Sequence, residues 1–438
     1  MGRKGNATGT IRMNRALAFA AVILFPAYSA YPAQVPFEQT TRELASPDAS
    51  TRIRAAQMLK EAGYPEAAVP LATLVTDPVD EIQLEAIAAE LNIFLAERIV
   101  PRKRVGFVVE VRNKVLAESA FSSGPLAIGA RPVPLEVLTA LRAAWRDDNP
   151  RVAVEALYAF GVLGVEPAGS TRRALLRESG PHLASLIGTA DPAIRFAAVR
   201  VIGRIFAKRA QDEPIEEAVG DALIVALNDP DRAIKIEAMQ ALGSLRYERA
   251  VHALTELFQF YGKGETAEAA LDAVARIAHS GTGPLFTSQL TAKNLAFRAI
   301  GIEGLSRLGD ASQVGVVQTT VAAERSDSLA LTGMFASSML SAAPLAPIVE
   351  ALTRPKLRDQ AWGYLVELAA IRSPMFTPHL QDPDARIRVD IIDALGLGGD
   401  SAALPLVERA LTDPDAQVAK AAERAVARLR ASQQKPLS

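Results

Sequence analysis

One pattern constrains the fold of this chain more than any other. It is written most fully as "DPDARIRVDIIDALGLGG" from position 382 and returns as "DPDRAIKIEAMQALGSL" at 229 and "DPDAQVAKAAERAVARL" at 413. Looser copies stand at 46, 77, 149 and 191, and copies without Asp-Pro fill 264 to 360. Most starts lie about 28 to 42 residues apart, the length of one helical hairpin. Within a copy, an Asp, Asn or Ser reads as the N-cap with proline at the first helical position, where a missing N–H breaks no bond. Asp384 then falls in the positive first turn. Ile387, Ile391, Ala394 and Leu395 make one apolar stripe. Gly396, Gly398 and Gly399 read as the helix end. A hairpin of this kind cannot bury its apolar face alone, so its neighbours must stack on it. The expected fold is all-α, an α-solenoid of about eleven helical hairpins.

Composition agrees. Aromatic residues are 5% of the 438, and alanine and leucine fill the apolar positions, which suits helix-on-helix packing better than a sheet. The acids of "DPDARIRVD" are not a calcium loop, which would need Gly at position 6 and Glu at position 12. They also recur from copy to copy, as caps must and a catalytic pair need not.

The consensus L-x-D-P-D-x-x-(V/I)-R-x-x-A-x-x-A-L-G resembles the HEAT repeat, in the short form found in phycobilisome lyase subunits and deoxyhypusine hydroxylase. The resemblance spans about residues 43–430. It implies a superhelical binding scaffold, with a ladder of Asp and Arg between units. Asp382 with Arg388 and Asp229 with Lys235 match the ladder spacing, whereas Gln83 and Ala419 stand where the basic residue is expected. The hydroxylase relatives bind iron through His-Glu pairs, and no His-Glu dipeptide occurs here. His182, His252, His279 and His379 lie in different units without ligand-like spacing, so no metal or other cofactor is expected. Trp145 and Trp362 read as core residues.

The N-terminus has a separate logic. Arg3, Lys4, Arg12 and Arg15 precede an apolar run from Ala16 to Phe25 and then "AYSA", the layout of a secretory signal peptide over 1–29. The run is too short for the roughly 20 residues that cross a bilayer, so no stable membrane insertion is expected. Residues 30–42 read as a linker and 431–438 as a disordered tail. Export to the periplasm or medium fits a chain with no cysteine only if burial alone stabilises it. Removing 1–29 takes the formal charge from -1 to -5, which gives no case for nucleic acid as partner.

The starts at 77 and 149 are 72 residues apart, and the excess maps to an insertion at about 97–133. It carries Arg102, Lys103, Arg104, Arg112 and Lys114, a local basic cluster on an acidic chain. Insertions in solenoids often lie on the binding face, which makes these five the candidate contacts for a protein partner. The expected function is a non-catalytic exported scaffold or adaptor. The alternatives are an enzyme of the lyase or metal-dependent oxidoreductase type, and an envelope-surface binder that uses the basic insertion.

Overall fold

A computed structural model describes residues 36–95, 116–129, 131–165, 170–207, 215–322 and 325–433. The chain begins with α1 (Phe37–Glu43) and α2 (Ala49–Ala62), then α3 (Ala68–Ala72) and α4 (Asp80–Phe94). After α5 (Leu116–Ser122) come the pairs α6 (Leu135–Ala143) with α7 (Pro150–Leu163) and α8 (Ser170–Leu186) with α9 (Pro192–Ile205). Next are α10 (Glu217–Ala226) with α11 (Arg232–Leu245), and α12 (Val251–Tyr261) with α13 (Glu265–Ile277). Then follow α14 (Gly283–Gln289) with α15 (Leu295–Leu308) and α16 (Val314–Ala322) with α17 (Asp327–Ser341). The last are α18 (Ala346–Ala351) with α19 (Arg358–Arg372), α20 (Ala385–Gly398), and α21 (Leu404–Glu408) with α22 (Ala416–Gln433). A 3-10 helix, Ser373–Gln381, stands in the short-helix place beside α20.

The second member of each pair packs on the second member of the next, so α2, α4, α7, α9, α11, α13, α15, α17, α19, α20 and α22 form one continuous row. The shorter helices form the other row. The described residues thus make an all-α solenoid of eleven pairs, with α5 as an extra helix laid on α7. The stack begins at Phe37, inside the expected linker, and α22 runs to Gln433, past the expected start of the tail. The signal-peptide segment and the rest of the tail lie outside the described residues.

The Asp-Pro-Asp loop works differently from the sequence reading. Where the motif is Asn149-Pro150 or Asp191-Pro192, the first residue is the cap, as expected. In the Asp-Pro-Asp copies the cap is the second acid: Asp384 accepts from the Arg386 N–H at 2.9 Å and Asp231 from Ala233 at 2.8 Å. The first acid binds the loop instead, Asp382 accepting from the Asp384 N–H and Asp229 from Asp231. Proline then sits one residue before the cap, where its fixed φ shapes the turn.

In Asp77, Asp229 and Asp413 that first acid is also the ladder acceptor, but from the preceding unit, whereas the arginine before Asp382, Arg358, pairs with Asp390. Arg52 grips Asp77 at 2.7 and 3.0 Å, Arg195 grips Asp229 at 2.7 and 3.2 Å, and Arg388 grips Asp413 at 2.9 and 2.8 Å. Each arginine lies four residues past its cap and also donates to carbonyls of its own loop, Arg388 to that of Asp382. Arg388 therefore pairs with Asp413 where Asp382 was expected, and Asp229 with Arg195 where Lys235 was expected, since a planar guanidinium at this position points across the stack. Gln83 does not interrupt the ladder: its amide donates to Asp147 of the next unit at 2.9 Å.

The glycine that closes "ALG", or "VIG" at 201–203, serves packing, not termination. Gly203, Gly243 and Gly396 lie twelve residues past their caps, inside helices. A Cβ at Gly396 would stand 2.7 Å from the Ala425 methyl, and one at Gly203 3.0 Å from that of Ala241. The absent side chain lets successive long helices approach closely. Only Gly399, at φ +73°, caps α20 in the left-handed region. Apolar burial is continuous from Leu44 to Ala336, and a second cluster runs from Leu331 to Leu429, the two meeting at α17. Trp145 is buried edge-on to Phe160 and Trp362 packs partly buried against the second cluster.

Candidate functional site

Positions nine and thirteen past each cap share one face of the long helices, because four residues make about one turn. On several helices that face is polar where the flanking positions are alanine and leucine. It carries Arg200 and Arg204 on α9, Gln240 and Ser244 on α11, and Glu303 and Arg307 on α15. Asp393 on α20 and Arg424 with Arg428 on α22 continue it, and Asp272 with Arg276 on α13 stand one residue early.

This is the inner face of a curved stack. Helix α5 lies on it: Arg200 of α9 pairs with Glu118 of α5 at 3.1 Å, and Arg204 stacks on Phe121. Just past α5, the Pro125 carbonyl accepts from Arg428 of α22 at 2.8 Å. One short segment thus meets the same face of the fourth and the eleventh pair, which is possible only if that face is concave. The segment is the C-terminal part of the expected insertion. Its helix is tied down by Glu155 of α7, whose carboxylate accepts from the free N–H groups of Leu116 and Ala117 at 2.8 and 2.9 Å. Burial pushes the Glu155 pKa up, against the pull of those two donors. At the other end, the Gly129 N–H donates to the Phe94 carbonyl.

Three clusters make up the band. In the first, Arg200 also reaches the Tyr158 hydroxyl at 3.2 Å and Glu237 at 3.7 Å. Burial raises the Glu237 pKa and Arg200 opposes it. In the second, Arg307 holds Glu367 of α19 through two bonds, 2.8 and 3.0 Å, and Glu303 at 3.2 Å. Tyr364 donates to Glu303 at 2.5 Å, receives Gln360 at 3.0 Å and stacks on Phe335. This clasp joins α15 to α19 across the place where the two apolar clusters meet. Burial disfavours the Arg307 charge, but Glu367 and Glu303 outweigh it and raise its pKa. Burial likewise disfavours the Glu367 carboxylate, and Arg307 outweighs it, so that pKa is lowered. In the third, Arg424 pairs with buried Asp393 at 3.0 Å.

Of the five expected contact residues, Arg102, Lys103, Arg104, Arg112 and Lys114 all lie outside the described residues. The residues that form the band were not singled out by sequence, where single charges on amphipathic helices read as a solvated surface. Their signal is registration: counted from the caps, acids and arginines recur at the same two positions in successive units. Among the described residues no group of three or more His, Cys, Asp or Glu is placed to hold a metal ion, and no helix is long and apolar enough to cross a membrane.

A continuous row of helical pairs, an inter-unit Asp–Arg ladder and a concave polar face define an α-solenoid of the repeat-protein class. The family described as HEAT repeats matches residues 180–259, from α8 to α12. No curated protein matches the sequence. Among solved structures, an engineered protein is similar over 90% of this chain and 98% of its own, at 18% identity and TM-score 0.44. The complex of CpcE and CpcF of phycocyanin lyase from Nostoc sp. PCC7120 is similar over 57% and 94%, at 17% identity and TM-score 0.37. A designed armadillo repeat protein in complex with the peptide (KR)4 is similar over 62% and 99%, at 17% identity and TM-score 0.36.

Proposed function

We propose that this protein is a non-catalytic, exported scaffold that holds a protein partner against its concave face. The observation that carries this reading is the polar band. Most of its charged side chains are interlocked by ion pairs, so much of the surface is already ordered before a partner arrives and little side-chain entropy is lost there on binding. Repeat solenoids use such extended concave faces for recognition. Ile371, 53% exposed, lies one turn beyond Glu367 on α19 and offers an apolar contact beside the charges. Export rests on the basic and apolar run of residues 1–29.

The test is a photo-cross-linking amino acid at position 371, with position 225 on the short-helix row as control. Val225 is 69% exposed. Capture of one defined protein from position 371 and not from 225 supports the reading. Capture from neither, or stoichiometric bound iron with turnover of a substrate, overturns it. Sequencing of the mature N-terminus from the exported fraction tests the leader, with Ala30 as the expected first residue.

A further inference from the structure

One cation of the concave band, Arg204, pairs with no acid among the described residues. Arg200, Arg276, Arg307 and Arg424 each pair with an acid, whereas Arg204 makes no hydrogen bond or ion pair among the described residues. Its guanidinium lies 3.3 Å from the centre of the Phe121 ring, and Phe121 is itself buried. Stacking on the ring covers one face of the guanidinium and leaves its N–H edge free, since those hydrogens lie in the guanidinium plane. The edge borders a cavity of about 250 Å³ between α9 and α11, lined also by Arg200, Glu237, Gln240 and Ser244. The side chains of Gln240 and Ser244 have no hydrogen-bond partner among the described residues either. Burial, and secondarily the Arg200 charge, brings the Arg204 pKa down to about 10, so it remains a cation at neutral pH.

A part-buried cation without a counter-ion is unfavourable, and the strongest relief is a bidentate oxyanion. We infer that this cavity receives a carboxylate group of an acidic segment in the protein partner, with Arg204 as the bidentate donor and Gln240 and Ser244 as flanking hydrogen-bonding groups. The inference rests on the scaffold reading and specifies its chemistry. Carboxylate is favoured over phosphate by charge: Arg200 and Arg204 together face Glu118 and Glu237, two cations against two carboxylates, so the anion with the smaller charge meets the least repulsion. The second charge of a phosphate would face Glu237 across the cavity, where carboxylates repel it.

The experiment is fluorescence anisotropy of a labelled hexaglutamate peptide on the full chain, compared among wild type, Arg204→Gln, Arg204→Lys and Arg232→Gln. Arg232 is an exposed control on the loop side of α11. The expected result is binding by wild type, weakened about tenfold or more by Arg204→Gln, as loss of a charge-assisted bond requires. Arg204→Lys falls between the two, because a lysine keeps the charge and loses the planar fork. Arg232→Gln leaves binding unchanged. Equal affinity in wild type and Arg204→Gln overturns the inference, provided circular dichroism shows the same melting for both. Displacement of the peptide by inorganic phosphate at lower concentration than by acetate overturns the choice of carboxylate. If wild type ignores the peptide while the probe at position 371 still captures a partner, this inference falls and the scaffold reading stands. If both fail, both fall.

Discussion

Replacing Glu90 with leucine is expected to stabilise the protein. Eleven residues past their caps, Leu59, Phe160, Ile202, Leu242, Leu305 and Leu395 are all buried, each at 2% exposure or less. Glu90 holds the same register on α4, is 0% exposed, and neither carboxyl oxygen has a hydrogen-bond partner among the described residues. Burial raises its pKa well above the ordinary glutamate value of 4.5. An unsatisfied buried polar group costs about 1 to 3 kcal/mol, and a buried leucine contributes about 1.5 to 3 kcal/mol. With some overlap between the two, Glu90→Leu should gain about 2 to 4 kcal/mol at neutral pH. The gain depends on pH with a definite sign. Above pH 4.5 the unfolded chain has released the Glu90 proton while the folded chain retains it, so rising pH favours unfolding until the folded pKa is passed. Urea unfolding of wild type and Glu90→Leu at pH 4.5 and pH 7.5 measures this, with a Glu90→Gln variant that keeps a polar group and removes the proton. The gain should be larger at pH 7.5, and Glu90→Gln should lose the pH dependence while gaining less stability. A leucine variant less stable than wild type, or a gain equal at both pH values, would refute the reasoning.

Other outcomes follow from packing and pairing. Glu367→Ala leaves Arg307 buried with only Glu303, and should cost about 3 kcal/mol in thermal or urea unfolding. Because the Glu367 pKa is lowered by folding, its stabilisation is present above the ordinary value of 4.5 and fades as pH falls through the folded pKa, so wild type and variant should converge in acid. Gly396→Val places a side chain into Ala425, whose Cα lies 2.9 Å from the Cβ position, and should destabilise by about 1 to 3 kcal/mol. Limited proteolysis should then release α22 before any other helix. Arg428→Ala removes the donor to Pro125, and hydrogen exchange should speed up across 116–129 while the α11–α13 layers keep their protection.

The fold was legible because a stacked unit repeats its local rules. Caps, apolar stripe and close-packing glycine return at fixed spacing, so an error in one copy is corrected by the others. What was misread is instructive. Asp382 and Asp384 are both candidate caps by residue type, and only the course of the loop assigns the first to the loop's own backbone and the second to the helix. Arg388 seeks an acid, but the one it finds is 25 residues ahead at Asp413, a distance set by the stacking of units. Gly396 looks like a terminator until the next helix is placed against it. The polar band was least legible. Arg200 and Arg428 are 228 positions apart, and nothing local relates them. Curvature of the stack turns both toward α5 and Pro125.

That curvature also changes the meaning of the insertion. Leu116 and Ala117 are held by Glu155, Phe121 carries Arg204, and Pro125 meets Arg428, so the described part of the insertion occupies the concave face and braces α7 and α9 against α22. A partner bound on that face must fit beside α5. Global electrostatics do not steer an acidic segment there, because the chain itself is net acidic at -1. Recognition at Arg204 would then depend on one desolvated, preoriented contact, and its strength would show mainly in slow dissociation, not in fast association. Salt screens such a contact less than it screens an exposed patch, since the guanidinium is covered on one side by Phe121. A local site of this kind suits selective capture of one acidic side chain in a protein whose overall charge does not draw acidic chains to it.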